Sequence, residues 1–144
     1  MFIGEYRHNL DNKNRLALPA KFRKDLGKKV AVTRGLDACL FVYPWKEWEK
    51  VAEKLGELPT GQADSRDFVR LMLSGAVEAE IDSAGRILVP DYLKDFGGLK
   101  ETVVVAGLYK RIELWEENRW NTYKTRVEKQ TDSLAEKLGQ VGGF

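Results

Sequence analysis

"DNKNRLALP" at residues 11–19 and "DSAGRILVP" at residues 82–90 are two versions of one phrase, and their relation decides how the rest of the chain is read. Asp11, Arg15, Leu16, Leu18 and Pro19 correspond, at one constant spacing, to Asp82, Arg86, Ile87, Val89 and Pro90. Phe22 then falls on Leu93. After a slip of one residue, Gly35-Leu36, Leu40, Val42 and Trp48 fall on Gly107-Leu108, Ile112, Leu114 and Trp120. An Asp-x-x-x-Arg-apolar-x-apolar-Pro phrase, a Gly-Leu pair and a tryptophan recurring in the same order mark two copies of one supersecondary unit.

Each copy begins with a tight turn. Gly85 takes a positive φ without steric cost, and its counterpart Asn14 is the next most tolerant residue type. Upstream, "GEYRHNL" and "AVEAEI" alternate loosely. Downstream, "RLALP" and "RILVP" place apolar side chains two apart before a proline that ends the run, so the pattern predicts a hairpin around each turn. Short amphipathic pieces follow, "AKFRKDLG" and "DYLKDFGG", each closed by glycine as a helix end. Then come β-rich runs, "KVAVTRG" with "CLFVYP" and "ETVVVAG" with "RIELWE". Each unit reads strand, turn, strand, short helix, strand, strand.

A longer helix is predicted after each unit. In "PWKEWEKVAEKL", Trp45, Trp48, Ala52 and Leu55 form one apolar stripe. Its counterpart should run through Trp120, Tyr123, Val127, Leu134 and Leu138 to Gly139. At helical spacing these tryptophans read as core anchors rather than a platform for stacking bases. "GELPTGQADSR" is a loop, with Asp64 or Ser65 expected to cap a helix in "RDFVRLMLSG", and the terminal "GQVGGF" is expected to fray. The fold class is a mainly β core with packed helices. The division is a first repeat at 5–47, a helical connector at 48–75, a second repeat at 76–119 and a helix with tail at 120–144.

With 144 residues, 43% hydrophobic and 32% charged, the chain can build one sizeable core. Its longest apolar run, "VVVAGLY", is far short of a membrane span, and Glu5 interrupts any signal-like N-terminus, so a cytoplasmic protein is expected. One cysteine, Cys39, excludes an internal disulfide framework and reads as a buried thiol; one histidine, His8, cannot build a metal site alone. No cofactor is expected. Phosphate-loop, dinucleotide, zincin and serine-elbow motifs are all missing, and Glu78 with Glu80 reads as an exposed strand edge, so neither an enzyme nor a small-molecule substrate is expected.

Charge is distributed unevenly. Residues 1–30 hold eight Lys/Arg against three acids, although the whole chain is only +2. A basic end on a nearly neutral protein suits a polyanion, and it also suits an ordinary solvated surface. The Asp-x-x-x-Arg phrase likewise has two readings. Asp can shape the turn and pair with Arg, which fixes the bend. Alternatively, Asp11 and Asp82 shape the turns while Arg15 and Arg86 are displayed outward, as forks able to hold phosphate or the O6 and N7 of guanine. The crowding of Arg7, His8, Lys13, Lys21, Arg23 and Lys24 around the first turn favours display.

"MFIGEYRHNLDNKNRLALPAKFR" and "DSAGRILVP" together resemble the doubled motif of MraZ proteins, bacterial members of the SpoVT-AbrB group, and the likeness covers nearly the whole chain. The resemblance implies a swapped-hairpin β-barrel of two interleaved half-units with helices outside, and a homo-oligomeric ring. It implies a regulator that binds double-stranded DNA at the promoter of the division and cell-wall gene cluster, on short direct repeats, in the cytoplasm at the nucleoid. The motif arginine of the family carries over to Arg15 and by position to Arg86, with Lys13, Asn14, Arg7, His8, Lys21 and Arg23 as further candidate contacts. Asn14 stands where the family usually has glycine, which sets the two turns apart. The rival expectation is an oligomeric scaffold whose basic face meets an acidic protein.

Overall fold

The computed structural model describes residues 1–143. In the first copy β1 (Phe2–Asn9) and β2 (Arg15–Ala17) precede α1 (Ala20–Leu26), β3 (Lys29–Arg34) and β4 (Leu40–Pro44). Two helices follow, α2 (Trp45–Gly56) and α3 (Ala63–Ser74). The second copy repeats the order with β5 (Val77–Glu80), β6 (Arg86–Leu88), α4 (Asp91–Gly97), β7 (Thr102–Tyr109) and β8 (Arg111–Glu116), then α5 (Glu117–Glu128) and α6 (Thr131–Gln140). All the strand pairs are antiparallel, and the architecture is α+β.

The two copies are interlaced. β1 of the first pairs with β7 of the second, Phe2↔Tyr109 through Asn9↔Thr102, and β5 of the second pairs with β3 of the first. β4 pairs with β8, and β2 with β6. Among the described residues only β3–β4 and β7–β8 are hairpins within one copy. The strand order is therefore β1-β7-β8-β4-β3-β5, with β2-β6 as a separate two-stranded ribbon. This corrects the local hairpin predicted around each turn. β1 and β2 share a single bridge, Leu10↔Leu16. The alternating run of β2 stops at Pro19 and is too short to match the eight residues of β1, whose full-length partner is the long apolar strand β7.

Strand periodicity divides the sheet's side chains between two cores. Val30, Val32, Leu40, Val42, Val103, Val105, Ile112 and Leu114 point to one face, where Phe22 and Leu26 of α1, Leu93 of α4 and Leu16 and Ile87 of the ribbon cover them. Ala31, Phe41, Tyr43, Val104 and Trp115 point to the other, under Trp48 and Leu55 of α2, Met72 of α3 and the half-buried Trp120 and Tyr123 of α5. Covered on both sides, these strands read as continuous apolar runs. The tryptophans are core anchors: Trp115 packs edge-on to Trp120 with ring centres 5.3 Å apart. Cys39 is fully buried, and burial pushes its thiol pKa far up.

Two helix expectations need correction. α3 begins at Ala63, ahead of both proposed caps, and its first turn has no side-chain cap; Asp64 lies inside that turn, favourable to the helix dipole. The single C-terminal helix is broken at Lys129-Gln130, where the Gln130 amide donates to the Val127 carbonyl and the Thr131 hydroxyl donates to that of Glu128. Leu134 and Leu138 are 37% and 49% exposed, so no packing holds the two helices in line. Of "GQVGGF", expected to fray, Gly139 and Gln140 still belong to α6, Val141 and Gly142 form a turn after it, and Phe144 lies outside the described residues. Among the described residues no helix is long and apolar enough to cross a membrane.

Candidate nucleic-acid interface

The aspartate of each motif organises its turn in the same way. Asp11 Oδ1 accepts the amides of Lys13 (2.9 Å) and Arg15 (2.8 Å), and Oδ2 accepts Arg15 Nε at 2.8 Å. Asp82 takes the amides of Ala84 (2.9 Å) and Arg86 (2.8 Å), and Arg86 Nε at 2.9 Å. The fourth residue of each turn is left-handed, Asn14 at φ 61° and Gly85 at φ 78°, as the turn requires. The two readings of the motif thus coexist. The carboxylate clasps its arginine, but only through Nε, and among the described residues neither arginine uses a terminal Nη in a hydrogen bond. Side-chain exposure of 35% for Arg15 and 34% for Arg86 leaves those forks open to a ligand.

The ribbon joins the two turns, one at each of its ends. Its register pairs Arg15↔Leu88, Leu16↔Ile87 and Ala17↔Arg86. Leu16 and Ile87 point into the core, so alternation sends Arg15, Ala17, Arg86 and Leu88 to the outer face. The pairing extends at both ends, with the Leu18 amide donating to the Gly85 carbonyl (2.9 Å) and the Val89 amide to the Asn14 carbonyl (2.8 Å). Two arginines one diagonal apart, with the exposed Leu88 directly opposite Arg15, form a face that neither copy makes alone. Sequence reasoning passed over Leu88, although its period-two relation to Arg86 was the available signal.

The amides of Arg15 and Arg86, ahead of their guanidinium groups, hold the carboxyls of Asp11 and Asp82 below the ordinary aspartate range against a smaller opposing effect of burial. A depressed folded value makes a contribution to stability that is complete above the unfolded pKa, about pH 4, and is lost as pH falls through the folded value. The stability gap between the parent protein and an Asp82→Asn variant should therefore close on acidification below about pH 4. Denaturant titrations at stepped pH measure this, and a gap constant across that range rules out the carboxylate as its source.

The other candidates do not all converge. Lys13 is exposed at the tip of the first turn and Lys21 on α1. Arg7 does not join the ribbon face: Nε donates to Glu117 (3.0 Å) and Nη2 to Asn121 (3.2 Å) of α5. Alternation along β1 explains this, because Tyr6 faces the core beneath the ribbon and Arg7 must face the opposite side. Burial, and then the charge of Arg23, lowers the pKa of His8 and so disfavours its cationic form. Arg23 lies beside the second turn rather than the first, against Gly85, with Nε donating to the Leu18 carbonyl at 3.0 Å. The first turn is braced instead by Asp91 and Lys94, which bond the Asn14 amide group at 2.6 and 3.2 Å. Lys94 occupies the position equivalent to Arg23, and the repeat spacing pointed to it. Among the described residues no cluster of His, Cys, Asp and Glu can hold a metal ion.

The model of the family described as the MraZ protein matches this chain twice, over residues 1–71 and 72–140. Three proteins named transcriptional regulator MraZ are similar along nearly their whole length. That of Moorella thermoacetica is 48% identical over 138 residues, 96% of either chain. That of Halothermothrix orenii is 47% identical over 142 residues, 99% of either chain, and that of Natranaerobius thermophilus 46% over 138 residues, 96% of either. With both halves of the duplication matched and the relatives aligned nearly end to end, the chain belongs to the MraZ family.

Proposed function

We propose that this protein is a DNA-binding transcriptional regulator whose outer ribbon face, with Arg15 and Arg86 at its diagonal and Lys13 at one tip, enters the groove of duplex DNA. The observation that carries the reading is the clasp at Nε, which orients each guanidinium and, among the described residues, leaves its terminal nitrogens unpaired. A two-stranded ribbon fits the major groove, a fork of this kind matches guanine O6 and N7, and an apolar side chain such as Leu88 suits a thymine methyl. The name carried by the relatives, transcriptional regulator, supports the same function here.

The finer picture belongs to the same proposal. The six-stranded sheet and the ribbon act as one swapped-hairpin barrel, and copies of the chain assemble into a ring. The ring engages short direct repeats in the promoter of the division and cell-wall gene cluster, in the cytoplasm at the nucleoid. A single small loop binds weakly; repeated loops on repeated sites raise one another's effective concentration.

Fluorescence anisotropy with a duplex from the region upstream of the gene tests the reading. Log affinity against log salt should fall with a slope of about −0.9 for every phosphate contacted, because bound counterions are released. A flat salt response, with no competition by unlabelled duplex, would overturn it in favour of a scaffold for an acidic protein.

A further inference from the structure

The two turns share a backbone but differ in what fills the space beside their fourth residue. At the first turn that space holds the Asn14 side chain, whose amide donates to Asp91 and accepts from Lys94. The Lys94 ammonium is thus tied to a neutral amide oxygen beside this turn. At the second turn Gly85 has no side chain, and the position equivalent to Asp91 is Ala20, which carries no charge. The guanidinium of Arg23 fills the vacant volume: a Cβ built on Gly85 overlaps Arg23 Cζ and Nε and lies 2.7 Å from Nη1. Nε anchors the group to the Leu18 carbonyl at 3.0 Å, and the Leu18 amide in turn bonds the Gly85 carbonyl. Among the described residues Arg23 has no carboxylate partner.

We infer that Arg23, although it belongs to the first copy, is a phosphate-gripping residue of the second turn, seated there by the missing side chain of Gly85. Resting on the DNA-binding reading above, this divides the labour of the ribbon face. The second turn presents two guanidinium groups, Arg86 and Arg23, with a single carboxylate engaged by one of them, which suits an anionic backbone oxygen. The first turn, braced by the Asn14–Asp91–Lys94 network, presents Arg15 as its one guanidinium, with Lys13 at the tip, and the clasped fork suits the edge of a base. Phosphate contacts set position and affinity, whereas base contacts set sequence. The two halves of the duplication are therefore not interchangeable.

The test measures binding of the full-length protein to two duplexes, the upstream promoter fragment and a random sequence of equal length, across a salt series. Arg23→Ala should weaken both by a similar factor, roughly tenfold, and make the salt slope shallower by about one, with the preference between duplexes unchanged. Gly85→Asn, which copies the residue of the first turn and tolerates the same φ, should unseat the guanidinium and reproduce that loss with Arg23 still present. Arg23→Lys keeps the charge without the fork and should lose part of the affinity at an unchanged melting temperature. An Arg23→Ala protein with the parental salt slope, or one that loses only the preference between duplexes, overturns the inference while leaving DNA binding intact. A parent protein that binds neither duplex overturns the DNA-binding reading and this inference with it.

Discussion

Arg15→Ala is expected to abolish sequence-specific DNA binding while the protein remains folded. A bidentate contact to one base contributes about 1–3 kcal/mol of discrimination, and every 1.4 kcal/mol is a factor of ten. In the proposed ring on repeated sites that factor would be lost at every copy, and the effect on the promoter fragment would compound. Stability should change little. The Arg15–Asp11 ion pair is partly exposed, and solvent screening leaves pairs of that kind with little effect on stability. Asp11 also keeps the two backbone bonds that shape the turn. Gel shifts on the promoter duplex, with a thermal melt as control, decide the matter, and an unchanged affinity refutes the assignment. Arg86→Ala should cost less discrimination, because its turn already holds a second guanidinium.

Leu16→Ala carries the largest expected loss of stability. Leu16 is fully buried and faces Ile87 across the ribbon, and together these two side chains attach the outer strands to the sheet beneath. Removing a buried leucine side chain costs about 2–5 kcal/mol, from the lost transfer energy and the cavity left behind. Since a domain is stable by only about 5–15 kcal/mol, a fall of that size should shift the urea midpoint clearly. A change below about 1 kcal/mol would mean that the ribbon is held elsewhere and that Leu16 is not its anchor.

Much of this arrangement is legible in the residue order, for reasons that can be named. Repetition identifies the unit. Leu16, Leu18, Ile87 and Val89 identify the inward side of the ribbon, and a proline after each run marks where it stops. Asn14 and Gly85 announce left-handed turns, and both have them. Pairing partners are another matter, because alternation tells a strand which side faces inward and says nothing about which neighbour it joins. That is why alternation alone predicts a local hairpin, whereas the exchange between copies is implied only by the family resemblance and is seen in the strand pairing. The misplacement of Arg7 has a related cause. Nearness in sequence put it beside the first turn, while the pleat turned it to the far side of the sheet toward Glu117. Arg23 stands out in the sequence by its charge, but its neighbour in the fold, Gly85, lies in the other copy and is a residue defined by what it lacks.

The exchange of strands between copies also governs how the polypeptide matures on the ribosome. When residues 1–44 have emerged, β1 has no β7 to join and β3 has lost one of its two eventual neighbours. The apolar side chains of β3 and β4 must wait, half-covered, until the chain has been made as far as Trp115. Closure is then a late event joining segments remote in sequence, the kind of search that proceeds slowly and leaves unpaired edges open to neighbouring nascent chains in the meantime.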